Sequence, residues 1–500
     1  MSPRSVVPTL WLAALLTACS PSDVPGPRPG PEQVAAGLLP AVQFEGEPPE
    51  AYALEARMEH YRVPGVSVAV LDGGDIVWAR GWGVADVETG TPVTPETLFQ
   101  AASISKPVAA LAALSLVEEG ALALDAPVND YMTRWQVPDN EFTADSAVTL
   151  RGLLTHSAGL TVWGFPGYRK DQPFSGDEEV ASNVRVLDGE GNTDPVRVYK
   201  VPGTSWQYSG GGYTVMEQLV EDVTGLPFEE VARTRVLEPA GMVRSTYAQP
   251  LPVERWPEAA HGHRGSGAEV DGEWHTYPEQ AAAGLWTTPS ELLTLSAHLL
   301  DIRSGEVADG VLSREMLEAM LTPNHAGDEA FSNWGLGLGL QGEGDAARFG
   351  HGGSNAGFRA TWTVLANRGQ AVAVMTNGDR GSLLAAEIVR SVAAAYGWPV
   401  SDLQPRMRER RALDRAALLE LAGEYVLEGR PDFVVTVQAG EGVLLVTAPG
   451  QGESRVHPAV EVDTFFDRDD GGELRFVRDE RGAITGVEND AGTRLVRRGG

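Results

Sequence analysis

Lysine is scarce in this chain of 500 residues, 39 of which are lysine or arginine. It occurs only as Lys106, Lys170 and Lys200, so arginine supplies the rest of the strongly basic side chains. A lysine kept against this bias is a candidate for chemistry that needs an amine, because a buried lysine can lose its proton whereas arginine effectively cannot. Cysteine is scarcer still: Cys19 is the only one, which excludes a disulfide within the chain.

Positive charge is also outweighed by negative charge, and the formal net charge is −30 at pH 7. A surface of this sign repels nucleic acid and anionic lipid headgroups, so neither is expected as a partner. The apolar content of 42% and the charged content of 22% are ordinary for a soluble globular protein. A chain of this length exceeds what one core usually supports, so two or more domains are expected.

An apolar run near the N-terminus, Val6–Leu16, is too short to remain in a bilayer as a spanning helix. With Arg4 before it and small residues after it, the run is typical of a secretory signal. It ends in Leu-Thr-Ala-Cys, which resembles a bacterial lipoprotein cleavage box. We therefore expect residues 1–18 to be a signal peptide and Cys19 to carry a lipid anchor in the bacterial cell envelope, at the outer membrane facing the periplasm. A plain signal peptide with an incidental cysteine is the alternative.

The rest of the chain divides by composition and pattern. Residues 19–49 are rich in proline, glycine and glutamate and poor in aromatic residues, which predicts a disordered tether. Residues 50–400 have strand-like segments near both ends and helical segments between them, which indicates an α+β domain with one antiparallel sheet covered by helices. The segment 401–422 is predicted to be a charged linking helix, and 423–500 a separate small β-domain, either a barrel or a sandwich.

Two hairpins define the predicted sheet. Strands at Val66–Val70 and Ile76–Arg80 flank an Asp-Gly-Gly turn, and strands at Phe358–Ala366 and Ala371–Thr376 flank a second turn that contains glycine. The segment Lys106–Glu119 is apolar almost all round, which predicts a helix buried in the domain.

The sequence Ser-Ile-Ser-Lys at 103–106 is the strongest local indication of chemistry. Residues three apart on a helix share a face, so Ser103 pairs with Lys106 and Ser105 faces elsewhere. A serine hydroxyl becomes a useful nucleophile when a neighbouring base accepts its proton, and a buried lysine amine can be that base. At the start of a helix, the Ser103 backbone N–H can also help to bind an oxyanion. Taken alone, such a pair is as often a surface coincidence as a site.

A second candidate is Tyr208, which lies just before three consecutive glycines. Glycine backbone lets the phenol approach other groups closely. Beside Lys106, we expect the positive charge to favour the phenolate and so to make Tyr208 a general base. A buried aromatic residue with a satisfied hydroxyl is the alternative.

A third candidate is the segment His351-Gly352-Gly353-Ser354. Glycines at a strand edge let a substrate backbone lie close and leave N–H groups free to donate, and we assign the second oxyanion donor to the Ser354 backbone. His351, Gly352 and Gly353 are expected to close the site. Taken alone, His351 is more often a packed or solvated histidine.

The order of these three elements resembles the class C β-lactamase and DD-peptidase-like serine hydrolase family. Four further stretches are similar to that family and support the resemblance: Thr97–Ser103, Leu153–Gly159, Val201–Thr204 and Ala282–Thr287. The resemblance covers roughly residues 50–400.

The resemblance implies an antiparallel sheet with helices on both faces, a mostly helical subdomain, and a site between the two. It also implies that Ser103 forms an acyl-enzyme, that Tyr208 and Lys106 transfer protons, and that the amides of Ser103 and Ser354 hold the oxyanion. The expected substrate is a small molecule or peptide with an ester or amide carbonyl, and no metal or organic cofactor is expected.

Two positions depart from the family pattern. Gly210 stands where family members often carry an asparagine that contacts a substrate amide. His351 stands where β-lactamases usually carry a lysine that attracts a substrate carboxylate, and a neutral histidine does so less. Both departures favour an esterase, or a D-amino-acid amidase or peptidase, over a penicillinase. A non-catalytic penicillin-binding-like protein that binds cell-wall peptides or a protein partner is the alternative, although such a protein has no need of an activated nucleophile.

Four other histidines invite a functional interpretation. His261, His263 and His275 suggest a zinc cluster, but their spacing lacks a helical offset with a defined third ligand, so no metal site is assigned to them. His156 lies within one of the family-like stretches and is expected to be structural.

Overall fold

The computed structural model describes residues 28–170, 183–308, 310–323, 333–449 and 452–499. The expected signal peptide, the lipidation candidate Cys19 and the first part of the expected tether lie outside these residues. Within the described part of the chain, no helix is both long enough and apolar enough to cross a bilayer.

Helices are concentrated before residue 396 and strands dominate after residue 422. The described α-helices are α1 (Pro31–Ala35), α2 (Leu54–Tyr61), α3 (Ser105–Glu118), α4 (Leu150–Leu154), α5 (Asn183–Leu187), α6 (Gly210–Thr224), α7 (Phe228–Ala232), α8 (Gln280–Ala283), α9 (Pro289–Ser304), α10 (Arg314–Met320), α11 (Gly381–Ala395) and α12 (Arg415–Leu421). The described β-strands are β1 (Val42–Phe44), β2 (Gly65–Asp72), β3 (Asp75–Asp86), β4 (Thr91–Pro92), β5 (Phe99–Gln100), β6 (Tyr168–Arg169), β7 (His275–Thr276), β8 (Trp286–Thr287), β9 (Gly339–Gln341), β10 (Arg348–Asn355), β11 (Phe358–Leu365), β12 (Gln370–Thr376), β13 (Arg406–Arg408), β14 (Gly423–Leu427), β15 (Arg430–Ala439), β16 (Leu444–Thr447), β17 (Glu453–Pro458), β18 (Thr464–Asp467), β19 (Glu473–Arg478), β20 (Ile484–Asn489) and β21 (Arg494–Arg497).

A seven-stranded antiparallel sheet forms the centre of the main domain, with strand order β4-β3-β2-β12-β11-β10-β9. Strands β2 and β12 are buried almost throughout because helices cover both faces of the sheet. Helices α1, α2 and α11 pack on one face, and α9 packs on the other. Both predicted hairpins are confirmed as β2–β3 and β11–β12, and so is the α+β arrangement.

Helix α3 is buried without interruption from Ser105 to Leu114, as its apolar sequence predicts. It packs against α6, α7 and α8, which belong to the helical part of the domain. A short 3-10 turn, Ala102–Ile104, precedes α3 and contacts β10. Ser103 therefore lies where the edge of the sheet meets the helical part.

The N-terminal segment corrects the prediction of a disordered tether. Residues 28–49 are ordered against the main domain, where Val34, Leu38 and Val42 are buried. Strand β1 pairs in parallel with β13, and Phe44 packs beside Phe466 of the C-terminal domain. Each apolar side chain that is fully buried contributes about 1.5 to 3 kcal/mol. A few well-placed apolar residues therefore offset the cost of ordering a segment whose composition resembles a linker.

The predicted linking helix over 401–422 is wrong in its first half. Residues 406–408 form β13, whose backbone is paired with β1 and cannot also be helical. Helix α12 begins only at Arg415, where the Asp414 carboxylate accepts a hydrogen bond from the Ala417 N–H. Such a side-chain cap marks the start of a helix.

The C-terminal strands β14–β21 close into a barrel, with β21 pairing back onto β14. Tyr425, Leu444, Phe465 and Phe476 are buried in its core. Closure leaves no free sheet edge, which removes the main liability of a small sheet. Of the two forms that the sequence allowed for this domain, the barrel is the one observed.

Candidate active site

Ser103 follows a strained residue. Ala102 has a φ of 51°, in the left-handed region that residues with a side chain rarely adopt. Gly353 of β10 runs directly past this turn, and a Cβ built on Gly353 would lie only 2.1 Å from the Ala101 carbonyl oxygen. Glycine is thus required at Gly353 for the strand to approach the turn that carries Ser103.

Lys106 lies one turn further along, beside the serine. Its Nζ is 3.1 Å from Ser103 Oγ and donates a hydrogen bond of 2.7 Å to the Ala282 carbonyl. Only 2% of Lys106 is exposed, and burial lowers its pKa to about 7. Close to neutral pH, a large fraction of the amine is therefore unprotonated and can accept a proton.

Ser105 faces the core, as expected. Its hydroxyl donates to the Ala102 carbonyl and accepts from the Leu285 N–H at 2.9 Å. The two serines of the motif therefore have different environments, and only Ser103 is beside the amine.

Tyr208 joins this pair, but in a different protonation state from the one expected. Lys106 Nζ is 5.0 Å from the centre of the Tyr208 ring, and Tyr208 lines the same two cavities as Ser103. Burial raises the pKa of Tyr208 above its ordinary value, so the phenolate prediction is wrong. The physical reason is that Lys106 is itself desolvated and only partly charged, so burial of the phenol outweighs the attraction.

His156 packs against the tyrosine and was not expected at the site. The two ring centres are 4.2 Å apart, and Nδ1 of His156 accepts a hydrogen bond of 3.1 Å from the Ser209 N–H. Burial, together with Lys106, holds the pKa of His156 well below its usual range, so the ring is neutral. The Ser209 side chain caps α6 by accepting from the Gly212 N–H. His156 therefore supports the backbone next to Tyr208. Its position in the family-like stretch Leu153–Gly159 is the feature of the sequence that could have placed it at the site.

The open edge of β10 forms the opposite wall. Strand β9 pairs with β10 only as far as Gly350, and no described strand pairs with that edge beyond it, where Gly352 and Ser354 are exposed. The His351 ring centre lies 6.1 Å from that of Tyr208. Burial, with a smaller effect from Lys106, lowers the pKa of His351 to about 3, so this histidine is neutral.

Helix α8 ties the two walls together through its carbonyl groups. The Ala282 carbonyl accepts from Lys106, while the Ala283 carbonyl accepts from the Asn355 side chain at the end of β10. Glu217 of α6 accepts from the Ala281 N–H at 2.8 Å, and burial raises the pKa of this carboxyl well above its ordinary value. A buried, satisfied network of this kind holds its members in one arrangement.

Gly210 is the first residue of α6 and lies against the loop that follows Leu160, a residue whose backbone pairs with that of Val198. A Cβ at Gly210 would lie 3.0 Å from Phe165 Cε2 and 3.1 Å from the Trp163 carbonyl oxygen. The loop therefore occupies the space into which a longer side chain at this position would extend. Residues 171–182 of the same loop lie outside the described part of the chain.

Two cavities meet at Ser103, and both are lined by Ser103, Trp163, Tyr208 and Ser354. The first has a volume of about 540 Å³ and runs along β10 and β11. The second has a volume of about 560 Å³ and lies between the end of β10, α8 and the loop around residue 264. A substrate with its reactive carbonyl at Ser103 can extend into both.

The three histidines considered for zinc do not share a site. Nδ1 of His263 bonds to the Asn377 carbonyl, and Nδ1 of His275 bonds to the Pro166 carbonyl. His261 instead lies beside carboxylates, with Nδ1 3.3 Å from Glu269 Oε2.

Comparison with known proteins agrees with this geometry. A family profile described as Beta-lactamase matches residues 52–396. Esterase EstB of Burkholderia gladioli is 33% identical over 249 residues, which are 47% of this chain and 60% of the esterase, so the match spans less than two thirds of that protein.

Two longer matches have lower identity. Penicillin-binding protein 4* of Bacillus subtilis is 24% identical and the match covers 80% of this chain and 87% of that protein. A D-aminopeptidase of Brucella anthropi is 26% identical, with coverage of 79% and 72%. Among solved structures, the octameric penicillin-binding protein homologue from Pyrococcus abyssi superposes with a TM-score of 0.60 at 24% identity, covering 89% of this chain and 99% of that one. At that identity the superposition shows the shared fold alone.

Proposed function

Because the chain belongs to the β-lactamase family of serine hydrolases and is an enzyme, we propose that it hydrolyses an ester or amide through an acyl-enzyme formed on Ser103. The observation that carries the proposal is the 3.1 Å separation between Ser103 Oγ and the Nζ of a buried lysine whose pKa is lowered to about 7. An amine poised near the working pH is well matched to general-base catalysis.

The proposed reaction has two halves. In the first, Ser103 Oγ bonds to the substrate carbonyl carbon, its proton passes to Lys106, and the bond to the leaving group breaks. Tyr208 is suited to hand a proton to the leaving group because its raised pKa keeps the hydroxyl protonated, and it then regains a proton from Lys106, which restores both groups. In the second half, water adds to the acyl carbon with proton transfer through the same groups, and the acid leaves as the Ser103 hydroxyl is restored.

The oxyanion is proposed to accept hydrogen bonds from the backbone N–H groups of Ser103 and Ser354. The close passage of Gly353 beside Ala101 supports this pairing, because it brings the open edge of β10 to the serine. Donors that are already in position stabilise the charge that develops on the oxygen without reorganising.

A fluorophosphonate probe tests the nucleophile. We expect covalent labelling of the wild-type protein, loss of labelling in Ser103→Ala, and loss in Lys106→Arg, since arginine keeps the charge but cannot accept the proton. Ser105→Ala is the matched control because it removes the other hydroxyl of the motif, and folded Ser105→Ala should still be labelled. Absence of labelling in folded wild-type protein would favour a non-catalytic binding protein instead.

Two features support an ester or a small amide over a β-lactam as the substrate. His351 is neutral, since its pKa is about 3, and so does not supply the positive charge that a lysine at this position would supply. Phe165 occupies the space beside Gly210, where a substrate-binding side chain would extend. Turnover of p-nitrophenyl esters, D-amino-acid amides and nitrocefin, compared side by side, tests this choice, and nitrocefin as the best of the three would contradict it.

We further propose that Cys19 is lipidated and that the enzyme is held at the outer membrane facing the periplasm. The support is the Leu-Thr-Ala-Cys sequence after a short apolar run. Metabolic labelling with an alkyne-tagged fatty acid should mark the wild-type protein and not Cys19→Ser. Equal labelling of the two proteins, or none of either, would contradict the proposal.

A further inference from the structure

Arg264 is a half-buried arginine near the nucleophile, and none of the described residues forms an ion pair with it. It lines the second cavity together with Ser103 and Tyr208. Among the residues that the structure describes, its guanidinium has no ion pair and no side-chain hydrogen bond. A half-buried guanidinium with five free donors is well suited to binding a planar anion in a bidentate manner.

The other charged groups of this cavity leave the charge of Arg264 uncancelled. Among the described residues that line the cavity, Asp379 is the only carboxylate. It is already engaged, since it lies 3.1 Å from the Arg359 guanidinium and accepts from the Gly357 N–H. Arg359 also donates to the Asn355 carbonyl, so this second arginine is committed.

The titratable rings of the cavity are neutral at pH 7. Burial, with a smaller effect from Arg264, lowers the pKa of His275 below its ordinary value. Burial raises the pKa of Tyr277 above 10. Counting the described residues that line it, the cavity therefore carries an uncompensated positive charge in a chain whose formal net charge is −30.

The first cavity has the opposite character. Its lining includes the rings of Trp163 and Trp334, and Arg348, the charged residue among the described ones that line it, is already paired with Asp402, so the cavity suits an uncharged, apolar group. Ser103 lines both the apolar cavity and the cationic one, so a substrate that fits both must differ in polarity at its two ends.

We infer that the preferred substrate is an ester or amide that carries a carboxylate on one side of the reactive carbonyl, bound by Arg264, and an apolar group on the other side. This inference rests on the proposed serine hydrolase function and specifies its substrate class. A carboxylate paired with arginine in a partly buried site forms charge-assisted hydrogen bonds, so losing them should cost about 10- to 100-fold in kcat/KM.

Matched substrates test the inference. Mono-p-nitrophenyl adipate carries a charge at the end of its acyl part that its methyl ester lacks, while 3-carboxy-4-nitrophenyl butyrate carries a charge on the leaving group that p-nitrophenyl butyrate lacks. The measured quantity is the ratio of kcat/KM for the charged member to that for the neutral member of each pair. We expect the wild-type ratio to exceed 1 for one pair, which identifies the side on which the carboxylate binds.

Arg264→Gln should lower that ratio about 10- to 100-fold, and Arg264→Lys should lower it less, because lysine keeps the charge but loses the bidentate geometry. Arg314→Gln is the control, since Arg314 is exposed and lines neither cavity. A wild-type ratio of 1 or less for both pairs, or the same ratio in Arg264→Gln as in wild type, would overturn the inference while leaving the hydrolase intact. Loss of all four reactions together with absent fluorophosphonate labelling would instead refute the proposed function.

Discussion

Replacing Lys106 by methionine should change how the stability of the main domain depends on pH. A pKa lowered from 10.5 to about 7 means that charging this amine costs about 5 kcal/mol more in the folded protein than in the unfolded chain. Below pH 7 the folded wild-type protein bears this whole cost, whereas a methionine of similar length bears none. Between pH 7 and 10.5 the unfolded chain binds more protons than the folded protein, so wild-type stability rises with pH relative to the variant.

The expected change is large enough to measure. Between pH 6.5 and pH 9 the wild-type protein should gain about 2 to 3 kcal/mol in free energy of unfolding relative to Lys106→Met. The variant also loses the hydrogen bonds from Lys106 to Ser103 and Ala282, but this loss changes the stability difference between wild type and variant by the same amount at both pH values. The change with pH therefore isolates the titration of the amine.

Urea unfolding followed by tryptophan fluorescence is the appropriate assay. All 12 tryptophans lie at or before Trp398, so the signal reports the main domain and not the barrel. Lys106→Leu repeats the comparison with a different apolar shape and should give the same dependence on pH. A stability difference that stays constant between pH 6.5 and pH 9, or changes in the opposite direction, would refute the assignment of a desolvated, largely neutral amine.

Three further outcomes are expected. For ester hydrolysis, kcat/KM should rise with pH through a midpoint near 7 as Lys106 loses its proton. It should then stay level to at least pH 10, because the raised pKa of Tyr208 keeps the phenol protonated, and a profile that falls between pH 6 and 8 would contradict this. Tyr208→Phe should lower kcat about 100-fold or more, and a value within threefold of wild type would argue against proton transfer by the phenol. Gly353→Ala should lower the free energy of unfolding by about 1 to 3 kcal/mol, because its Cβ would lie 2.1 Å from the Ala101 carbonyl oxygen. Gly352→Ala, whose Cβ would have its nearest neighbour at 3.8 Å, should lower it by less than about 0.5 kcal/mol, and equal losses in the two variants would be inconsistent with the close passage of β10.

Local patterns predicted the elements that depend on local rules. The hairpins β2–β3 and β11–β12 follow from alternation and turn residues, and helix α3 follows from its apolar sequence. The pairing of Ser103 with Lys106, and the separate environment of Ser105, follow from helical spacing alone. Each of these predictions depends on neighbouring residues alone, and not on which distant segment packs against the hairpin or helix.

Predictions that depended on composition failed where distant partners intervene. Residues 28–49 have the composition of a linker, yet β1 is paired with β13 across more than 300 residues of chain. The same pairing makes residues 406–408 a strand, where the sequence predicted the first half of a linking helix. No local window contains the partner strand, so neither outcome was available from the sequence in that region.

The sequence by itself determined which groups take part at the candidate site: an alcohol, an amine, a phenol and a glycine-rich strand, each recognisable from its neighbours along the chain. Only the tertiary structure decided their protonation states, because desolvation depends on walls contributed by segments far apart in sequence. Burial lowers the pKa of Lys106, which agrees with the base that the sequence allowed, and raises the pKa of Tyr208, which keeps the phenol protonated where the proximity of charges alone predicts a phenolate. The tertiary structure also places Arg264, which has no ion pair among the described residues, in the second cavity beside the nucleophile, and no spacing along the chain reveals this.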